Sequence, residues 1–378
     1  MGTKFGFVTT YPPTHCGIAT FSASLICAIK SDSSHSTSVI QLVDSQTQES
    51  SRINAAEVIA TMKAGDPASK AKAIDLLNTL DVAIIQHEFG IYGGVDGDEV
   101  LTLLSELQIP TIVVLHTVLA NPTPGQRAVF LELCSLASAV VTMSKSARVQ
   151  LVVGYQIDPR KIYVIPHGAR PVADSIHNTG SYSPLILTWG LIGPGKGIEW
   201  AIKAMHKIRD LKCAPRYLVA GRTHPKVLER NGESYRNGLQ REINDLGLSK
   251  TVHLEGEYMS SDALDKLISA SAIVLLPYDS TEQATSGVLI EAIAARRPVV
   301  ATGFPYAREL LASGAGIIVA HRNPTAIADA LRKILDDSDL ATKMSSQASV
   351  MSTELLWPAV ARRYTQLANI LIHATVAA

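Results

Sequence analysis

The sequence predicts an α/β protein built on doubly wound parallel sheets, and three observations carry that prediction. Short apolar runs suited to buried strands alternate along the chain with stretches of helical period, the pattern of a parallel sheet covered by helices. Each run is followed by a turn, and most by a helix-compatible segment. Finally, 378 residues exceed what one hydrophobic core usually organises, and 47% hydrophobic against 18% charged residues supply enough apolar side chain for two.

In the first half the strands fall at Lys4–Thr10, Ser38–Val43, Val82–Gln86, Thr111–His116, Ala139–Met143 and Ile162–Ile165. From Pro171 to Pro184 the chain turns polar and irregular, which reads as a linker. The alternation restarts at Leu185–Trp189, Tyr217–Ala220, Val252–Leu254, Ile273–Pro277, Pro298–Thr302 and Gly316–Val319. A helix over Pro324–Leu335 and a long one around Pro358–His373 follow. The expected division is a first domain over residues 1–170, a second over 171–357, and a terminal helix, 358–378, that crosses back to the first.

Composition excludes several function classes. Thirty-four Lys and Arg balance 34 Asp and Glu, so no general positive field draws the chain onto nucleic acid, and any anion must be held locally. Cys16, Cys27, Cys134 and Cys213 are scattered and form no CxxC pair, which fits reduced thiols and speaks against a disulfide or zinc framework. No apolar stretch approaches the roughly 20 residues of a membrane span, and nothing resembles a secretory signal. A cytoplasmic location is expected; peripheral membrane contact and oligomeric state stay open. Asp96-Gly97-Asp98-Glu99 imitates a hard-metal cluster but lacks the remaining ligands of a calcium loop, so no metal site is assigned.

Open α/β sheets bind ligands beyond the carboxyl ends of their strands, which directs attention to the loops that follow them. After the first strand, Tyr11–Phe21 leads into a helix beginning near Ile18, and Gly17 at its start lets a ligand reach unpartnered N–H groups. A plain tight turn explains the same glycine. The fourth strand ends in His116, able to donate to a sugar hydroxyl or act as a base, or simply to be satisfied by a backbone carbonyl. His87-Glu88 ends the neighbouring strand with a second polar tip.

In the second half, Gly190 through Lys196 fits the spacing GxxxxGK, but Gly197 lacks the hydroxyl that a nucleoside-triphosphate loop uses on magnesium. What survives is a lysine at a glycine-rich turn before a helix, suited to a diphosphate. Gln283–Ala292 follows a buried strand. With Thr285 as N-cap, Ser286, Gly287 and Val288 would offer free N–H groups to an anion, and Glu291, one turn on, could accept two ribose hydroxyls. A capped amphipathic helix with an incidental Glu is the plainer reading. Arg222-Thr223-His224 follows another strand and offers a cation or merely a surface turn.

Taken together these residues resemble the family 4 retaining glycosyltransferases, whose architecture of two Rossmann-like domains facing across a cleft is called GT-B. Tyr11–Phe21 looks like the family's N-terminal glycine loop and His116 like its cleft histidine. Ile165-Pro166-His167-Gly168 resembles its IPNG turn, and Gly195-Lys196-Gly197 its KG motif. Ser286–Ala295 with Pro298–Thr302 resembles the donor-binding helix and next strand, and Trp357 with the helix after it the segment that crosses back.

The resemblance implies that Glu291 holds the donor ribose, Lys196 and the amides of Ser286, Gly287 and Val288 the diphosphate, Gly17 the distal phosphate, and His116 a hydroxyl of the transferred sugar. The donor is then a UDP- or GDP-hexose, glucose- or mannose-like, the acceptor a hydroxyl, and no cofactor or obligatory metal is required. Two departures stand out. The first glutamate of the family's pair is replaced by Gln283, with Glu282 one step out of register, and an arginine that accompanies the family lysine falls near Leu191. Arg222 is the expected substitute cation. A nucleotide-sugar epimerase, a phosphorylase and a non-catalytic nucleotide-sugar binder are the alternatives on the same fold.

Overall fold

The computed structural model describes residues 2–14, 16–43, 56–172, 183–257 and 259–376. The chain forms two compact units, Met1–Gly168 with Trp357–Ala378, and Ala169–Leu356. Most of the expected linker, residues 173–182, lies outside the described residues.

The first unit runs β1 (Lys4–Thr9), α1 (Gly17–Lys30), β2 (Ser36–Val43), β3 (Val58–Lys63), α2 (Pro67–Leu77), β4 (Val82–His87), α3 (Glu99–Glu106), β5 (Thr111–Leu115), α4 (Pro124–Leu136), β6 (Ala139–Thr142), α5 (Lys145–Val149) and β7 (Ile162–Val164). Its strands form one parallel sheet in the order β3-β2-β1-β4-β5-β6-β7. The central strands carry near-continuous apolar runs because both their faces are covered; every residue of β4 is buried. The helices begin where side chains can take up orphan amides, as at Thr123, whose Oγ1 accepts the Gln126 N–H while Gln126 Oε1 accepts the Thr123 N–H.

The second unit runs β8 (Leu185–Trp189), α6 (Ile198–Lys207), β9 (Arg216–Ala220), α7 (Pro225–Asn231), α8 (Ser234–Asp245), β10 (Val252–Glu255), α9 (Ser261–Ala270), β11 (Ile273–Leu276), α10 (Gly287–Ala294), β12 (Val299–Thr302), α11 (Pro305–Leu311), β13 (Gly316–Val319), α12 (Pro324–Asp336) and α13 (Ser338–Leu355). Its parallel sheet has the order β10-β9-β8-β11-β12-β13. Numbered within each unit, both sheets read 3-2-1-4-5-6, the doubly wound order of a dinucleotide-binding fold, with a seventh strand appended in the first. The last helix, α14 (Trp357–Val376), packs Val360, Ala361, Tyr364 and Leu367 into the core of the first unit beside Phe21, Leu25 and Ile29 of α1.

Twelve strands predicted from the apolar runs are present. The thirteenth among the described residues, β3, was not predicted although Val58, Ile59, Ala60 and Met62 are apolar; it is an edge strand that buries only Met62. Helix α13 was also unanticipated. Its Ser- and Thr-rich sequence reads as a poor helix former, yet Asp337 caps it through the Leu340 N–H at 2.9 Å, and Met344, Ala348, Ser352 and Leu355 bury one face at helical spacing.

Candidate functional site

In the second unit the strand order reverses between β8 and β11, and doubly wound sheets bind their ligands beyond the strand ends at such a reversal. The loop leaving β8, residues 190–197, is clamped on both sides. Toward β11, the Asp279 N–H donates to the Gly195 carbonyl at 2.9 Å. Gly197, at φ +63°, comes so near that a Cβ there would stand 1.8 Å from the Pro277 carbonyl oxygen, so only glycine fits. Toward β9, the Ile192 N–H donates to the Arg222 carbonyl at 2.9 Å and the His224 N–H to the Ile192 carbonyl at 2.8 Å. The backbone thereby fixes where Lys196 stands.

Lys196 Nζ lies 4.4 Å from the centroid of the Tyr278 ring, and burial lowers its pKa below the ordinary lysine value. Among the described residues it has no carboxylate partner. Asp279, on the loop bonded to Gly195, is already held by Trp200 Nε1 at 3.0 Å and by Arg322 Nε at 3.3 Å. A cation drawn out of water onto a ring face without a counter-ion is an arrangement that an anion completes.

The Tyr278 hydroxyl shares a hydrogen bond with Ser286, whose Oγ accepts the Leu289 N–H at 3.2 Å. Ser286, not Thr285, is therefore the N-cap of α10, because its extended backbone places the hydroxyl over the third amide of the helix. The cap consumes the Leu289 N–H and leaves those of Gly287 and Val288 without a protein partner among the described residues. Glu291 sits one turn along. Its Oε2 accepts the Trp189 Nε1–H at 3.0 Å, which orients the carboxylate and leaves Oε1 and the second lone pair of Oε2 for a ligand. Burial raises its carboxyl pKa, an effect that the Trp189 bond and the charge of Arg170 partly offset.

The other candidates of this unit are distributed around that centre. Gln283 Nε2 donates to the Thr285 carbonyl at 2.9 Å, so the amide braces the loop before α10. Glu282 is exposed. Arg222 is half-buried, and its carbonyl accepts the Ile192 N–H of the loop after β8. Beside Lys196 opens a cavity of about 280 Å³ lined by Leu191, His224, Lys226 and Arg230 among others; Arg222 does not line it. Trp189, Tyr278, Lys226 and Arg230 were not singled out from sequence. The first two read as core aromatics, and the second pair as ordinary surface charge on a short helix.

In the first unit the reversal falls between β1 and β4. Gly17 opens α1, exposed, with Cys16 as its N-cap and nothing within 4 Å of where a Cβ would stand. His116 Nε2–H donates to Gln86 Oε1 at 2.7 Å, and its ring meets Phe21 edge-on at 5.0 Å. Burial, with smaller contributions from His167 and His87, pulls the His116 pKa down to about 3. The imidazole is consequently neutral at physiological pH. Glu88 is engaged at both oxygens, by the Phe89 N–H at 3.0 Å and by the Thr117 hydroxyl. His87 is fully buried, and neither ring nitrogen has a hydrogen-bond partner among the described residues.

Residues 171–351 match the family model described as Glycosyl transferases group 1. Over 167 residues the chain is 29% identical to the alpha-D-kanosaminyltransferase of Streptomyces kanamyceticus, covering 44% of this chain and 40% of that protein. Over 297 residues it is 27% identical to the D-inositol 3-phosphate glycosyltransferase of Corynebacterium glutamicum (strain R), covering 71% of this chain and 68% of that one. Among solved structures it resembles a glycosyltransferase from Rickettsia africae at a TM-score of 0.78, with 16% identity over 98% of this chain and 99% of the other. It also resembles Anabaena Alr3699/HepE, solved with UDP and glucose, at a TM-score of 0.75, with 15% identity over 98% and 100%.

Proposed function

We propose, from the match of residues 171–351 to the group 1 glycosyl transferases and from the GT-B fold, that the protein moves a hexosyl group from a nucleoside diphosphate sugar to an acceptor hydroxyl with retention of anomeric configuration. The observation that carries this reading is Lys196, a cation without a carboxylate partner on the face of Tyr278, beside the first turn of α10. The Gly287 and Val288 amides and the positive end of the helix add to its field. Glu291, steadied by Trp189, is placed one helical turn away to accept a ribose hydroxyl. That spacing suits a nucleotide whose diphosphate lies at the helix start. The UDP bound in the HepE structure supports a uridine donor.

In this reading the C1–oxygen bond to the distal phosphate breaks as the acceptor oxygen bonds to C1 on the same face, and the acceptor proton passes to the departing phosphate oxygen. Lys196 and the α10 amides stabilise the charge that develops there, a fixed electrostatic arrangement that needs no reorganisation during the reaction. No protein nucleophile takes part. In the first unit, the exposed start of α1 at Gly17 is assigned the distal phosphate. Neutral His116, with a pKa near 3, suits hydrogen bonding to a sugar hydroxyl better than proton abstraction. Charge neutralisation by side chain and helix leaves no step that requires a divalent ion.

The test is to incubate the protein with UDP-glucose, UDP-galactose, GDP-mannose and a panel of polyol acceptors, with and without EDTA, and to follow the anomeric proton by NMR. An α-configured product from an α-configured donor, formed equally with EDTA present, is expected. Inverted product removes the retaining assignment, and donor consumed without acceptor supports an epimerase instead.

A further inference from the structure

The cavity beside Lys196 deepens the function just proposed, and rests on it. The loop after β8 does not stand alone against β11: it also pairs with the loop after β9 through an isolated bridge between Ile192 and Thr223. Gly193 packs so closely on α7 that a Cβ there would stand 3.2 Å from Val227 Cγ2. These contacts bring one face of α7 to the edge of the lysine loop. Lys226, Arg230 and Asn231 thus line the same cavity of about 280 Å³ as Lys196, and no carboxylate is among its lining residues.

Charge on the wall is concentrated and uncompensated. Neither Lys226 nor Arg230 makes an ion pair among the described residues, and the same holds for Lys196. His224 completes the lining as a hydrogen-bond donor. Its Nδ1 accepts the Lys226 N–H at 3.2 Å, which puts the ring proton of the neutral form on Nε2. Burial first, and then Lys226 and Lys196, lower the His224 pKa and favour that neutral form. Leu191, the position where the family resemblance places an arginine, lies on the same wall.

We infer that Lys226 and Arg230 complete the diphosphate site begun by Lys196, and that this set of three cations is matched to the departing nucleoside diphosphate rather than to the intact donor. A nucleoside diphosphate sugar carries two negative charges on its diphosphate. Once the glycosidic bond breaks, the distal phosphate becomes a monoester and a third charge appears. Three cations with no acid among them balance three charges, and their Coulomb attraction to a leaving group of three charges exceeds that to a donor of two. Arg222, the substitute cation expected from sequence, is not among the residues that line this cavity.

The experiment measures UDP, UDP-glucose and UMP affinities by calorimetry for wild type, Lys226→Ala, Arg230→Ala and the double variant, with thermal melts to verify folding. Both side chains are exposed, so the variants should melt as wild type does. Each single substitution should weaken UDP roughly tenfold, as expected for losing a charge-assisted hydrogen bond, with smaller losses for UDP-glucose and least for UMP. Arg230→Lys and Lys226→Arg should recover most of the UDP affinity. Wild type that binds UDP tightly while the double variant binds it equally well overturns this inference and leaves the proposed function standing. Equal losses for UDP and UDP-glucose overturn the charge matching. Wild type that binds no nucleoside diphosphate, UDP or GDP, overturns the proposed function and this inference with it.

Discussion

Lys196 is a residue whose burial is unfavourable for folding and to which the proposed function gives the diphosphate. Its ammonium is partly removed from water, and the face of Tyr278 returns only part of the lost hydration. Lys196→Met keeps the length of the side chain and removes the charge. The expected outcome is an unliganded protein more stable by on the order of 1 kcal/mol, measured by denaturant unfolding, together with loss of the UDP-induced rise in melting temperature. A variant both less stable and still able to bind UDP would remove the role assigned to the lysine. The lysine itself was legible in the sequence, from a glycine-rich turn placed between a strand and a helix. Its ring partner was not, because Tyr278 comes from the end of β11, about eighty residues on, and only the pairing of β8 with β11 brings the two together. Glu291 teaches the same lesson. The turn spacing placed it correctly on α10, but the Trp189 indole that occupies one of its oxygens lies at the end of β8.

At the scale of the elements, the ends of β4 and β5 and the turn after β7 hold three histidines that burial keeps neutral. The pKa of His87 is drawn down to about 4, that of His116 to about 3 and that of His167 to about 4. In the unfolded chain each would titrate near 6.5. The folded pKa values are depressed, so protonation favours unfolding: the stability these groups contribute is present above pH 6.5 and is lost as pH falls toward 4 and 3. Near pH 5 the unfolded chain should bind up to three more protons at these sites than the folded one. Unfolding free energies measured between pH 7.5 and 4.5 should therefore fall with acidification. His87→Phe, which fits the ring contacts with Phe89 and Phe130, should reduce that slope by about one proton. A slope unchanged in His87→Phe would assign the acid sensitivity elsewhere. The strands were readable as continuous apolar runs because both sheet faces are covered. β3 also carries apolar residues, Val58 to Ala60 and Met62, but as an edge strand it buries only Met62, and its run was not assigned.

At the scale of the whole molecule, the chain leaves the first unit at Gly168 and returns to it at Trp357. Trp357 is buried there, its ring 5.1 Å from Phe21 and 5.5 Å from His167. Trp357→Ala should cost about 3–5 kcal/mol of stability, the usual penalty for emptying a buried aromatic site, and the loss should fall on the first unit. Calorimetry should show one transition lowered, while UMP affinity, which the proposed function assigns to Glu291 in the second unit, stays near the wild-type value. Loss of UMP binding in a folded variant would show that the two units do not bind and unfold separately. The amino-acid sequence by itself determined the α/β class, nearly all of the strands, the helices that Gly17 opens and Glu291 stands on, the strand end at His116 and the loop of Lys196, because strand period, glycine placement and helix period are local properties of the chain. Only the tertiary structure decided which groups surround those residues: Tyr278 under Lys196, Trp189 on Glu291, Lys226 and Arg230 on the cavity wall. Each of those contacts joins segments that meet only after parallel strands have paired, and no local pattern records which strand becomes the neighbour of which.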